Sequence, residues 1–114
     1  MKERRKYQRY PASLQATVRQ GGDGTPCDCL ISELSREGAR LLSREKIQFG
    51  QTVDLTVTVP GATEPVSARM TVRWTRQVYD HADYQYLAGG ELHGADAEGV
   101  QRLLDHARSA PRPS

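Results

Sequence analysis

Apolar and polar residues alternate along most of the chain. Over residues 13–20, Leu14, Ala16 and Val18 fall on one face and Gln15, Thr17 and Arg19 on the other, the period of a half-buried strand. The glycine-rich stretch 21–26 is turn-forming, and residues 27–34 resume a β-compatible pattern, which predicts a hairpin. Residues 38–42 read as a short third strand. After a turn at Phe49 and Gly50, Val53, Leu55, Val57 and Val59 alternate strictly with polar residues and define a fourth. Pro60 and Gly61 open the next connection, after which Val66, Ala68, Met70, Val72 and Trp74 hold period two through Thr75. Residues 84–92 supply a sixth strand, reached through an exposed loop carrying Tyr79, Asp80, His81 and Asp83.

The period changes once. Val100, Leu103, Leu104 and Ala107 stand at i, i+3, i+4 and i+7, the spacing of one helical face, with Asp96 placed to cap its N-terminus. Gly99 costs this helix about 1 kcal/mol relative to alanine. Docking against the strands is therefore expected to hold it. Residues 108–114, with Pro111 and Pro113, read as a disordered tail. Six short strands closed by one amphipathic helix describe a mainly β domain, a small antiparallel barrel. A chain of 114 residues suffices for one core and no more. The expected organisation is a basic arm at 1–11, a barrel with its helix at 12–107, and the tail.

Composition narrows the function. No run approaches the roughly 18 apolar residues that span a bilayer, and no apolar segment follows the basic start, so a soluble cytoplasmic protein without a secretory leader is expected. A net charge of +2 argues against a protein that coats nucleic acid through overall charge. Its distribution is uneven: Lys2, Arg4, Arg5, Lys6 and Arg9 against Glu3 give +4 in the first ten residues, so the remainder is acidic on balance. Such a run also suits a solvated tail. Cys27 and Cys29 would share one strand face roughly 6 to 7 Å apart, too far for a relaxed disulfide, and are expected as free thiols. His81, His93 and His106 have no paired ligand spacing, which speaks against a metal site. No nucleophile elbow or phosphate-binding glycine loop points to an enzyme. Aromatic residues are too few on the central strands to form a stacking platform for single-stranded nucleic acid.

Two short motifs carry a resemblance. Arg4-Arg5-Lys6-Tyr7-Gln8-Arg9-Tyr10-Pro11 places Arg5-x-x-x-Arg9 just before the first strand, and Glu33-Leu34-Ser35-Arg36-Glu37-Gly38 joins the second strand to the third. Together they resemble the Arg-x-x-x-Arg and Asp/Asn-x-Ser-x-x-Gly motifs of PilZ domains, with Arg73-Trp74 late in strand five, Gly90 in strand six and a terminal helix in keeping. The resemblance implies a six-stranded PilZ-type barrel with one C-terminal helix. It further implies a receptor for cyclic di-GMP that changes conformation on binding and regulates a protein partner. Position 33 departs from the family in carrying Glu. PilZ-like adaptors that have lost nucleotide binding and act only through proteins are the alternative.

The residue chemistry suits such a ligand. Guanidinium groups pair with phosphate, or with guanine O6 and N7, and stack on purine faces, the roles the resemblance implies for Arg5 and Arg9. Glu33 can accept from guanine N1 and N2, with its extra methylene shifting the carboxylate by about one bond length. Ser35 offers a hydroxyl, and Gly38 permits a positive φ or close approach of the backbone to the ligand. Simpler roles stand beside these: solvated Arg5 and Arg9, an ion pair between Glu33 and one of them, a turn capped by Ser35, a tight bend at Gly38. Tyr7 and Tyr10 suit either an anchor for the arm or core packing, and the sequence leaves open whether Arg36, Arg40 and Arg73 line the site. No cofactor is implied. Because cyclic di-GMP can stack into an intercalated dimer of about four negative charges, a third guanidinium at Arg4 leads to an expectation of two nucleotides per chain.

Overall fold

Alternation is realised as six strands in a computed structural model, which describes residues 10–21, 24–79, 81–93 and 97–109. In chain order these are β1 (Tyr10–Gln20), β2 (Cys27–Leu34), β3 (Gly38–Ser43), β4 (Thr52–Val57), β5 (Val66–Gln77) and β6 (Tyr86–His93), followed by α1 (Ala97–Ser109). All neighbouring pairs are antiparallel. Their order, β1-β2-β3-β6-β5-β4, closes on itself because β4 pairs back onto β1. Inward positions fill the barrel: Leu14 and Val18 from β1, Ile31 from β2, Leu41 from β3, Val53 and Leu55 from β4, and Met70 and Val72 from β5 are essentially inaccessible. Gly50 and Gly61 take positive φ in the two turns assigned to them.

Several boundaries move. β1 starts three residues early because Tyr10 and Pro11 pair with Leu34 and Glu33 across an irregularity between Pro11 and Leu14. Val59 lies beyond the end of β4 yet packs into the core. β5 extends to Gln77, and Tyr84 is buried in the loop ahead of β6. The helix buries Leu103, Leu104 and Ala107 and docks on β1 and β5, as its spacing requires. It runs through 108 and 109, positions read from sequence as tail, while Asp96 lies outside the described residues. No described helix is long and apolar enough to cross a membrane.

Both cysteines are free thiols. Burial pushes the Cys29 thiol from 9.0 up to about 12, with Cys27 and Asp28 adding to the rise. It is a small apolar core group at neutral pH and no nucleophile.

Two bulges break the alternation. In β2, Ile31 pairs with Leu41 but Glu33 with Arg40, leaving Ser32 as an extra residue. In β5, Val72 pairs with Gly90 but Trp74 with Gly89, leaving Arg73 extra. Each extra residue reverses the inward–outward parity of the strand positions after it. Trp74, in phase with Val72 by sequence, therefore points outward and is 39% exposed.

Candidate ligand site on the barrel wall

Strand register assembles the site. Reading across the barrel wall, Pro11, Glu33, Arg40, Gly89 and Trp74 are successive partners from β1 through β2, β3 and β6 to β5. The two bulges act at the flanks of this row. On β2, Ser32 and Glu33 both leave the core, and on β5, Arg73 and Trp74 do the same, so each bulge presents two consecutive side chains on one outer face. Between them lies a cleft of about 750 Å3 bounded by the β2–β3 turn, Arg40, Arg73, Trp74 and β6.

Gly89 forms the cleft floor. A β-carbon there would occupy the space held by the Trp74 indole, so only glycine leaves room for the ring against the β6 backbone. Gly38 answers to a similar constraint. It has no positive φ, and a side chain there would strike the Gly90 carbonyl oxygen of the neighbouring strand. The freedom of φ expected from sequence is not what this position needs; close strand packing is.

Ser35 is committed to the turn. Its buried hydroxyl accepts from the backbone N–H of Glu37 at 3.3 Å and of Gly38 at 3.2 Å, and the Ser35 N–H donates to the Gly38 carbonyl at 2.9 Å. These bonds fix the β2–β3 connection in the manner of a serine turn. Ser35 therefore shapes the cleft edge through the backbone.

Charge in the cleft is balanced internally. Glu33 pairs with Arg40, Oε2 to Nη2 at 3.6 Å, while Arg40 Nε donates to Ser32 Oγ at 3.2 Å. Arg73 Nη2 donates to Glu91 Oε2 at 3.1 Å. Arg36 leaves the turn to donate to Gln101 of α1 at 3.0 Å, and Gln101 in turn donates to Asp105 at 2.8 Å. Three guanidiniums and the carboxylates of Glu33, Glu37 and Glu91 line the space, so an anionic ligand needs cations from outside the described wall.

Of the residues singled out by sequence, Glu33, Ser35 and Gly38 meet at this cleft. Arg4, Arg5, Arg9 and Tyr7 lie outside the described residues. Tyr10 begins β1 and packs against the core. Arg36, Arg40 and Arg73, left undecided by sequence, all reach the cleft wall. Trp74, Gly89 and Glu91 were missed as site residues. The Gly89-Gly90 pair inside an otherwise regular strand was the available signal, since strand glycine marks a bulge or close approach.

The PilZ domain family matches residues 3–108. Among solved structures, the Bacillus subtilis inhibitor of motility (MotI/DgrA) is similar at 20% identity and TM-score 0.67, over 94% of this chain and 50% of that one. The PilZ domain with c-di-GMP of YcgR from Escherichia coli is similar at 16% identity and TM-score 0.69, over 94% and 91%. The MrkH–c-di-GMP complex of K. pneumonia is similar at 10% identity and TM-score 0.71, over 92% and 51%. The chain thus spans about half the length of the first and third of these. No curated protein matches the sequence. At these identities the structures speak for the fold. The family match covers nearly the whole chain and agrees with a closed six-stranded barrel carrying a C-terminal helix: this chain belongs to the PilZ domain family.

Proposed function

We propose that this chain is a cyclic di-GMP receptor that binds the nucleotide in the cleft and thereby regulates a protein partner. The observation that carries the reading is the convergence of Glu33, Ser35 and Gly38 on one cleft whose strand row ends at Pro11, two residues after Arg9. Its volume of about 750 Å3 falls in the range of small-molecule sites, roughly 300–1,000 Å3. The wall brings no surplus cation, and the basic arm supplies one. In this reading Arg5 and Arg9 clamp the phosphates and guanine edges. Glu33 accepts from guanine N1 and N2, the Ser35–Gly38 turn shapes the rim, and the outward Trp74 ring offers a stacking face. Ordering the arm over the ligand lowers the net affinity but couples occupancy to a change of surface. The role is that of a receptor and not of a catalyst.

Calorimetric titration with cyclic di-GMP tests this, with a single-stranded oligonucleotide as control. Arg5→Ala and Arg9→Ala are each expected to weaken binding by about tenfold or more, the equivalent of a charge-assisted contact of about 1.5–3 kcal/mol. Unchanged affinity in both variants would remove the receptor reading as drawn. A second reading, an adaptor that works without nucleotide, is favoured by the pairing of Glu33 with Arg40 inside the wall. No heat with wild-type protein would select it.

A further inference from the structure

Cyclic di-GMP has two guanines, and Glu33 accounts for only one of them. The cleft holds a second acid–guanidinium pair, like Glu33 and Arg40 in lying beside a bulge. On the β2 side, a bulge at Ser32 turns Glu33 outward, and Arg40 of the adjacent strand meets it at 3.6 Å. On the β5 side, a bulge at Arg73 leaves Arg73 and Trp74 together on the outer face, and Glu91 of the adjacent strand meets Arg73 at 3.1 Å. β3 and β6, which pair with each other, separate the two bulged strands, and the Gly89 floor lies between the pairs. Arg73 and Glu91 are 58% and 60% exposed, and ion pairs this exposed add little to stability. The fold has no evident need of them.

We infer that Arg73 and Glu91 form a second guanine-reading pair, with the Trp74 ring beside it as the surface on which that base lies. The inference rests on the cyclic di-GMP reading above. Guanine presents acceptors at O6 and N7 and donors at N1 and N2, and the two edges meet at O6. A guanidinium donating to O6 and N7 beside a carboxylate accepting from N1 and N2 matches both edges at once. Adenine offers a donor where guanine has O6 and an acceptor at N1, and the pair repels it at both points. Glu91 is thus a specificity determinant, while the phosphate charge is left to the arm.

The test compares cyclic di-GMP with its inosine analogue, cyclic di-IMP, which lacks the two exocyclic amines, by calorimetry on wild-type protein, Glu91→Gln and Asp54→Asn. Asp54 makes an exposed ion pair with Arg69 at 3.5 Å between β4 and β5 and does not line the cleft, so it controls for loss of a surface carboxylate. Glu91→Gln is expected to lower cyclic di-GMP affinity about tenfold while cyclic di-IMP affinity changes less, compressing the ratio between them. Asp54→Asn should leave that ratio as in wild type. A ratio unchanged in Glu91→Gln, or compressed equally in Asp54→Asn, overturns the role of Glu91 and leaves the receptor reading standing. Absence of cyclic di-GMP binding to wild-type protein overturns both.

Discussion

At Gly89 the missing side chain matters more than any present one, because the space above it belongs to the Trp74 indole. Gly89→Ala forces the ring to lift or the strand to shift, which is expected to cost about 1–3 kcal/mol, the usual penalty of overpacking. Trp74 is the sole tryptophan of the chain, so its emission reports the change directly. A red shift in Gly89→Ala, together with a lowered urea midpoint, is the expected outcome; an unchanged spectrum would mean that the ring does not rest on the glycine. Cys29 makes a second, independent prediction. Its native thiol holds a proton between 9.0 and about 12, where the unfolded chain has released it. The stability this contributes is complete below pH 9 and is lost as pH climbs through that window. Cys29→Ala is therefore expected to be less stable at neutral pH through lost packing, yet to decline less steeply under alkali in denaturation curves taken from pH 8 upward.

Among the elements, β2 and β5 do the most to place the site, and each does so by carrying one residue more than its partner. Deleting Ser32 removes the extra residue and leaves plain alternation, with Glu33 still outward and Leu34 still inward, but takes away the second outward side chain that the bulge presents beside Glu33. Both the deletion and Ser32→Ala, which keeps the count of residues, are expected to lose the hydrogen bonds to Arg40, and a urea midpoint in the deletion close to that of Ser32→Ala is the outcome that checks it. The same extra residues mark where sequence reading stops. Alternation carried β1, β4 and β5, turn residues bounded the shorter β2, β3 and β6, and helical spacing carried α1, because these patterns report which side chains meet the core. A bulge is a feature of pairing between strands, so nothing in β5 alone says that Trp74 leaves the face of Val72. Nor does β2 alone say that Arg40 of the neighbouring strand reaches Glu33. Motif spacing did reach Glu33, Ser35 and Gly38, because a turn is local; it misassigned the reason for Gly38, which lies on a strand distant in sequence.

For the molecule as a whole, the wall is electrically balanced and the surplus positive charge sits at the arm, so the amount of anion bound should follow the arm's arginines. Two nucleotides per chain are expected with Arg4 present, and Arg4→Leu should shift the calorimetric ratio toward one while Arg5 and Arg9 keep binding intact. A ratio of one in wild type, or of two in both proteins, would take Arg4 out of the account. Closure of the barrel sets a further condition on any protein that would dock on it. With β4 returning to β1, the sheet has no free edge over its paired spans, Ala16–Gln20 of β1 with Val53–Val57 of β4 and Val66–Thr71 of β5 with Thr52–Val57 of β4. Over those spans a docking protein cannot add a strand of its own to the sheet, the route by which many peptides are recognised largely regardless of side chains. There it would read side chains, those of the outer wall, the loops or α1, and under the proposed function a nucleotide held in the cleft would change what there is to read.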